Sequence, residues 1–202
     1  MQRISFRPIL AVTVATLALA ACRSAAVAGP EPAAASPPTA VGTTVRTAWV
    51  YHAGVFNWGG DYSFAATVDY ADTSGQPPSG RYDIAVKTTG QWGGFQPFAG
   101  GKVPLWNFND RGFTYLAFAF KPTVANQTAQ VFFTKVGDLP TGRTVNLFSG
   151  QFGPAPQAGV WATYRIPLAD LGVQNTNVYK FAIQDQTGLR ANTFYLDDIR
   201  FE

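Results

Sequence analysis

The chain has 202 residues, of which 47% are apolar and 13% charged, a charged fraction about half that of an ordinary soluble domain. Twenty Gly, fourteen Pro, 16 Phe, 8 Tyr and 5 Trp favour a loop-rich sheet protein over a helical bundle, whose exposed faces need Glu, Lys and Arg. One cysteine, Cys22, and one histidine, His52, exclude a disulfide framework, a thiolate metal cluster and a multi-histidine metal centre within this sequence.

The formal charge of +3 is concentrated near the start. Arg3, Arg7, Arg23 and Glu31 are the charged residues before position 46, and beyond them twelve basic and eleven acidic side chains leave a net of +1 with no basic run. No nucleic-acid partner is expected from such a balance, since there is neither a basic patch nor a Gly-rich phosphate loop.

Residues 1–21 read as an export signal. Arg3 and Arg7 precede the apolar stretch Ile9–Ala21, which is thirteen residues long, too short for the ~20 residues of a membrane-spanning helix. The stretch ends in Leu19-Ala20-Ala21-Cys22, which resembles the lipobox of bacterial lipoproteins. Lipidation at Cys22 is expected, with the cysteine as first mature residue; the alternative is an ordinary secretory cleavage that leaves an incidental thiol. Several acyl chains on one terminus give a stable membrane anchor, at ~0.8 kcal/mol per buried methylene. Arg23 stands where an Asp would suggest inner-membrane retention, which points to the outer membrane of a bacterial cell envelope. Residues 22–45 then form a disordered tether: after Cys22 come seven Ala, four Pro, five Ser or Thr and two Gly without apolar periodicity, enough to reach roughly 70 Å at ~3.1 Å per residue.

Residues 46–202 fit one domain. Runs rich in Val, Ile, Phe, Tyr, Trp and Thr recur between Gly, Pro, Asn and Asp clusters at residues 48–52, 62–70, 82–88, 92–98, 114–120, 129–136, 144–148, 160–168, 178–185 and 193–201. Ten such strands predict an all-β, two-sheet antiparallel sandwich. Alternation puts Ala162, Tyr164, Ile166 and Leu168 on a core face opposite Trp161, Thr163 and Arg165. It likewise puts Tyr179, Phe181 and Ile183 opposite Lys180, Ala182 and Gln184. Residues 114–120 are apolar on both faces, as expected of a covered central strand. In 193–201, Leu196 has the opposite parity from Ile199 and Phe201, so a β-bulge is predicted at Asp197-Asp198. Such a bend turns a carboxylate toward the sandwich edge, where it can accept N–H groups or bind a hard cation.

These residues resemble jelly-roll carbohydrate-binding modules of the galactose-binding-domain-like fold. The resemblance runs over most of residues 46–202 and rests on the order of several pieces: Ser79-Gly80 before Asp83–Val86, Gln91-Trp92-Gly93-Gly94-Phe95, Tyr115-Leu116-Ala117-Phe118, Trp161-Ala162-Thr163-Tyr164-Arg165-Ile166-Pro167-Leu168 followed by Leu171, and Phe194-Tyr195-Leu196-Asp197-Asp198-Ile199. It implies a two-sheet jelly roll and a possible structural calcium at one edge, with Asp197 as ligand and Asp61 as its partner. Where such modules are expected to have Trp-Ser-Trp, this chain has Tyr62-Ser63-Phe64, which puts a ligand contact there in doubt.

Sugar recognition needs flat aromatic faces for C–H bonds and amide, carboxylate or cationic groups for hydroxyls. Trp92 opens a strand beside Gly93 and Gly94, whose missing side chains would leave space over a sheet, and Gln96 and Phe98 share its parity. Lys180 and Gln184 lie on the non-core face of their strand. The expected ligand surface is therefore Trp92, Gln96, Lys180 and Gln184 on a concave sheet, with Trp58 and Trp106 on bordering loops; core or rim packing of the tryptophans, and a merely solvated Lys180/Gln184 face, stay open. Catalysis is not expected, because no Gly-x-Ser-x-Gly is present and no pair of carboxylates is spaced for glycoside hydrolysis. The expected function is a non-catalytic, lipid-anchored glycan-binding module. The alternative is a structural or adaptor envelope lipoprotein with a protein partner.

Overall fold

Period-two alternation of large apolar residues makes strands whose apolar faces need a second sheet to cover them. A computed structural model describes residues 46–99 and 106–202. The expectations for residues 1–45, Cys22 and the tether included, lie outside the described residues. In chain order the strands are β1 (Ala48–His52), β2 (Val55–Phe56), β3 (Gly60–Asp61), β4 (Ala66–Asp72), β5 (Asp83–Thr88), β6 (Gly94–Phe95), β7 (Pro97–Phe98), β8 (Trp106–Asn107), β9 (Tyr115–Pro122), β10 (Ala129–Thr134), β11 (Pro140–Asn146), β12 (Ala162–Pro167), β13 (Asn177–Val178), β14 (Lys180–Asp185) and β15 (Thr193–Phe201). One helical turn, Phe108–Arg111, and one 3-10 turn, Leu147–Ser149, complete the described elements.

Two antiparallel sheets form the jelly roll. The seven-stranded sheet runs β12-β9-β15-β1-β2, with β5 and then β4 also built onto β15. The six-stranded sheet runs β11-β10-β14-β7-β3, with β6 also on β14, and β8 and β13 form a separate small ribbon. β15 sits at the centre: β9 lies along one side, while β5 pairs with its first half and β1 with its second. The bulge predicted from parity is present, as a register shift between Asp197 and Arg200 and a left-handed backbone at Asp198 with φ of 51°. It lets Leu196, Ile199 and Phe201 all reach the core.

The core lies between the sheets. Phe95, Val131, Phe133, Phe181 and Ile183 come from the six-stranded side, and Ile84, Val86, Phe118, Phe120, Tyr164, Ile166 and Phe194 from the other, all fully buried. Each such side chain contributes ~1.5–3 kcal/mol relative to exposure. The even positions of β12 and both faces of β9 are buried as alternation predicts.

Two details differ from expectation. Tyr179 falls in the break between β13 and β14 and leaves the core row, its ring resting 5.7 Å from that of Phe98. β11 begins four residues earlier than the apolar run, and its Gly142, with φ of 73°, lies so close to Leu171 that a Cβ would come within 2.0 Å of the carbonyl oxygen. Only glycine fits that approach.

Candidate functional site: the outer face of the six-stranded sheet

Once Phe95, Val131, Phe133, Phe181 and Ile183 point inward, the alternate residues must point outward. The register then sets them in three rows. The first runs Phe64, Gly94, Gln184, Gln130, Asn146. The third runs Gly60, Phe98, Lys180, Thr134, Pro140. Between them lie Ala182, paired with Phe132, and Gln96, whose carbonyl accepts the Tyr62 N–H at 2.9 Å. Four residues of β14 separate the outer rows, about 13 Å of extended chain.

One end of the face is aromatic. Tyr62 is 51% exposed, its ring centroid is 4.5 Å from that of Phe98, and Phe98 in turn contacts Tyr179. The Lys180 ammonium lies 4.5 Å from the centre of the Tyr62 ring, a cation–π geometry, and is ion-paired with Asp138 from the β10–β11 turn. Beneath Tyr62 a local device holds the chain: Asp61 Oδ1 accepts the Ser63 N–H at 2.6 Å and the Ser63 hydroxyl, and Ser63 Oγ accepts the Gln96 N–H at 3.1 Å. This Asx-type turn fixes the backbone that presents Tyr62.

The other end carries amides. Gln184 donates from Nε2 to the Trp92 carbonyl at 2.7 Å and accepts from Gln130 Nε2. Trp92 has a left-handed backbone, φ 61°, and remains 47% exposed at the rim, with its ring edge over Gly188. Along β11 the face opens into two cavities that share Arg143 and Thr144. One, of about 240 Å³, is bordered by Gln130, Phe132 and Thr141; the other, of about 350 Å³, by Asn146, Phe148 and Gln151.

Comparison of the whole structure with solved ones gives the fold. A variant of the second family 29 carbohydrate-binding module, in a structure complexed with cellulohexaose, is similar with a TM-score of 0.51 at 12% identity, over 77% of this chain and 89% of that one. The first family 29 module from Piromyces equi is similar with a TM-score of 0.53 at 11% identity, over 77% and 89% of the respective chains. The domain has the jelly-roll fold of a carbohydrate-binding module. No protein-family model matches the chain, and no curated protein does.

Within the domain the residues singled out from sequence occupy different environments. Trp92 and Gln184 meet on the outer face. Gln96 and Lys180 belong to the same face but are 9% and 4% exposed. Lys180 is therefore no solvated side chain: Tyr62 and Asp138 cover it, a pairing between residues distant in sequence. Trp58 is a correction. Followed by Gly59-Gly60 it reads as a loop residue, yet it is 8% exposed and its ring stacks 5.6 Å from Phe201 and meets Phe181 edge-on at 5.3 Å, so it offers no face to a ligand. The space expected over Gly93 and Gly94 is also filled: a Cβ on Gly93 would meet the Ala65 carbonyl at 2.3 Å, and one on Gly94 the Phe64 ring at 3.1 Å. Trp106 lies on β8, and its side chain is outside the description.

Asp61 and Asp197 are engaged separately. Asp61 serves the turn under Tyr62. Asp197, fully buried at the bulge, accepts Ser79 N–H and Oγ–H on Oδ2 at 3.2 and 2.9 Å and the Asp198 N–H on Oδ1 at 2.8 Å. Burial pushes its carboxyl above the usual range despite these donors. Asp198 Oδ1 lies 2.7 Å from the same Ser79 Oγ, sharing its one hydrogen with Asp197, and 2.6 Å from His52 Nδ1. Among the described residues, no group of three or more His, Cys, Asp or Glu side chains could hold a metal ion. Asp61 and Asp197 thus serve different local devices, the turn after β3 and the bulge of β15, in different sheets.

Tyr62, Phe132 and Gln130 lie on this face beyond the residues expected from sequence, and Phe98 joins it as its shared parity with Trp92 and Gln96 implies. Tyr62-Ser63-Phe64 was the available signal, discounted because tyrosine and phenylalanine stand where tryptophans were expected.

Proposed function

We propose that residues 46–202 form a non-catalytic module that binds a polysaccharide along the outer face of the six-stranded sheet, displayed in the bacterial cell envelope on a lipid anchor at Cys22. The observation that carries this reading is the exposed Tyr62 ring, buttressed by Phe98 at one end of the face, with the Gln184–Gln130 amide pair at the other end. A ring of this kind covers the C–H face of a sugar, and amides bind its hydroxyls. None of the side chains in the three rows is a carboxylate, which favours binding over hydrolysis, since a hydrolase needs two carboxyl groups roughly 5–9.5 Å apart at the bond. Trp92 and Gln184 are not both buried, which favours a glycan over the adaptor reading. The similar family 29 modules complexed with cellulohexaose and mannohexaose make these two hexasaccharides the first probes.

The anchor has its own test. Metabolic labelling with a radioactive fatty acid in a bacterial host should mark the wild-type chain and not Cys22→Ser; label retained in Cys22→Ser would overturn the lipidation. Calorimetry with the hexasaccharides and pull-down on insoluble polysaccharides test the ligand, and failure to bind across the panel would sink the glycan reading.

A further inference from the structure

The opposite face of the sandwich carries a hollow of its own. Thr67 and Asp69 of β4 stand beside Lys87 and Ala85 of β5, and these in turn beside Thr193 and Tyr195 of β15. Their alternates Val86, Phe194 and Leu196 fill the core, so this set faces outward from the seven-stranded sheet. With Asp72 and Ser74 at one end it encloses about 310 Å³, the small end of the range for ligand cavities.

The lining is chemically mixed and partly unspent. The Tyr195 ring forms one wall and is held in place: its hydroxyl lies 3.1 Å from Ser74 Oγ, the Lys121 ammonium is 5.8 Å from its centre, and Trp161 stands behind at 6.5 Å. Asp69 uses one oxygen to accept the Ala71 N–H at 3.0 Å, which leaves the other for a ligand. Lys87 is exposed and is absent from the ion pairs found among the described residues. Thr67 and Thr193 add hydroxyls, and Ala85 keeps the floor low.

An acceptor-only carboxylate beside a donor-only ammonium is complementary to neighbouring hydroxyls of one ring, each of which both donates and accepts. The aromatic wall suits the ring's C–H bonds. A phosphate or other anion would meet the Asp69 and Asp72 charges, and a metal ion the Lys87 charge. We propose that this hollow is a second saccharide-binding site, for one or two sugar rings at the end of a glycan. With a chain bound on the first face and a terminus on the other, one module would bridge two glycans. The site is independent of the first, and the experiment separates them.

The full chain, isotope-labelled and held in a zwitterionic detergent, is titrated with glucose, galactose, mannose, N-acetylglucosamine and their disaccharides while amide resonances are followed. At least one of these saccharides should shift Thr67, Lys87 and Thr193 saturably. Lys87→Met should weaken that response about tenfold, the loss of one charge-assisted hydrogen bond, and Tyr195→Ala should abolish it, while Tyr62→Ala leaves it unchanged. No saturable shift from any of these saccharides, or a shift untouched in both Lys87→Met and Tyr195→Ala, overturns the second site. Loss of hexasaccharide binding on the Tyr62 face with this response intact would overturn the first reading alone.

Discussion

Asp83 gives the sharpest prediction. It opens β5 and is fully buried, and it can hydrogen-bond to its neighbour Asp72 only when one of the two carboxyls carries a proton. The loop above it is closed so tightly that a Cβ on Gly75 would come within 2.0 Å of Asp83 Oδ2. Burial first, then the negative charge of Asp72, the hydrogen bond that the protonated acid shares with it, and the more distant charge of Asp197 push its carboxyl from 3.8 up to about 7, with Lys121 offsetting part of the effect. The native state therefore favours the protonated acid. Its contribution to stability is fully present below about pH 4 and is lost as the pH rises through about 7. Three pK units at ~1.36 kcal/mol each make that loss at most ~4 kcal/mol. In a domain of this size 1 kcal/mol moves Tm by ~2–4 °C. Asp83→Asn keeps the shape and removes the charge, and its amide can donate toward Asp72. Scanning calorimetry of wild type and variant across pH should show the variant melting higher by at least ~5 °C near pH 8, with the gap closing near pH 4. A variant no more stable than wild type near pH 8, with the same pH profile, would refute the reasoning.

Other outcomes follow from the same structure. Glu202 is buried against its own ionisation, yet Arg165 and Arg200 hold its carboxyl below the usual range; Glu202→Gln should destabilise the fold at neutral pH by under ~1 kcal/mol because Arg165 is exposed, read as a lower Tm, and the difference should vanish as acid protonates the wild-type carboxylate. Gly142→Ala should destabilise by ~2 kcal/mol or more in a denaturant titration, since it combines a left-handed backbone with a clash against Leu171. Trp58→Ala should cost ~3–5 kcal/mol of stability, as a core truncation does, with no change in sugar affinity measured on the folded fraction.

How far the sequence could be read depended on whether the deciding contact was local. The bulge at Asp197-Asp198 follows from a parity conflict within nine residues, and it was visible without a structure. The covered strand β9 and the alternating β12 announce themselves in the same way. Lys180 does not: its parity correctly puts it outside the core, but its burial depends on Asp138 in another hairpin and on Tyr62 across two strands. Trp58 is hidden for a similar reason, because Gly59 and Gly60 mark a loop while the ring dips between Phe181 and Phe201. At Gly93-Gly94 the glycines mark close approach, by Ala65 and Phe64, instead of open space. Parity can say that Tyr62, Gln96 and Phe132 point away from a core; it cannot say that three strands bring them onto one face.

The central claim is that the Tyr62 face binds a glycan chain. Titration calorimetry of the full chain and of Tyr62→Ala with cellulohexaose and mannohexaose tests it most directly, with the melting temperature as a check on folding. Measurable binding to at least one of them is expected, with a loss of about tenfold or more in the variant, ~1.4 kcal/mol, and Tm little changed. Equal affinity in a folded Tyr62→Ala chain would contradict it.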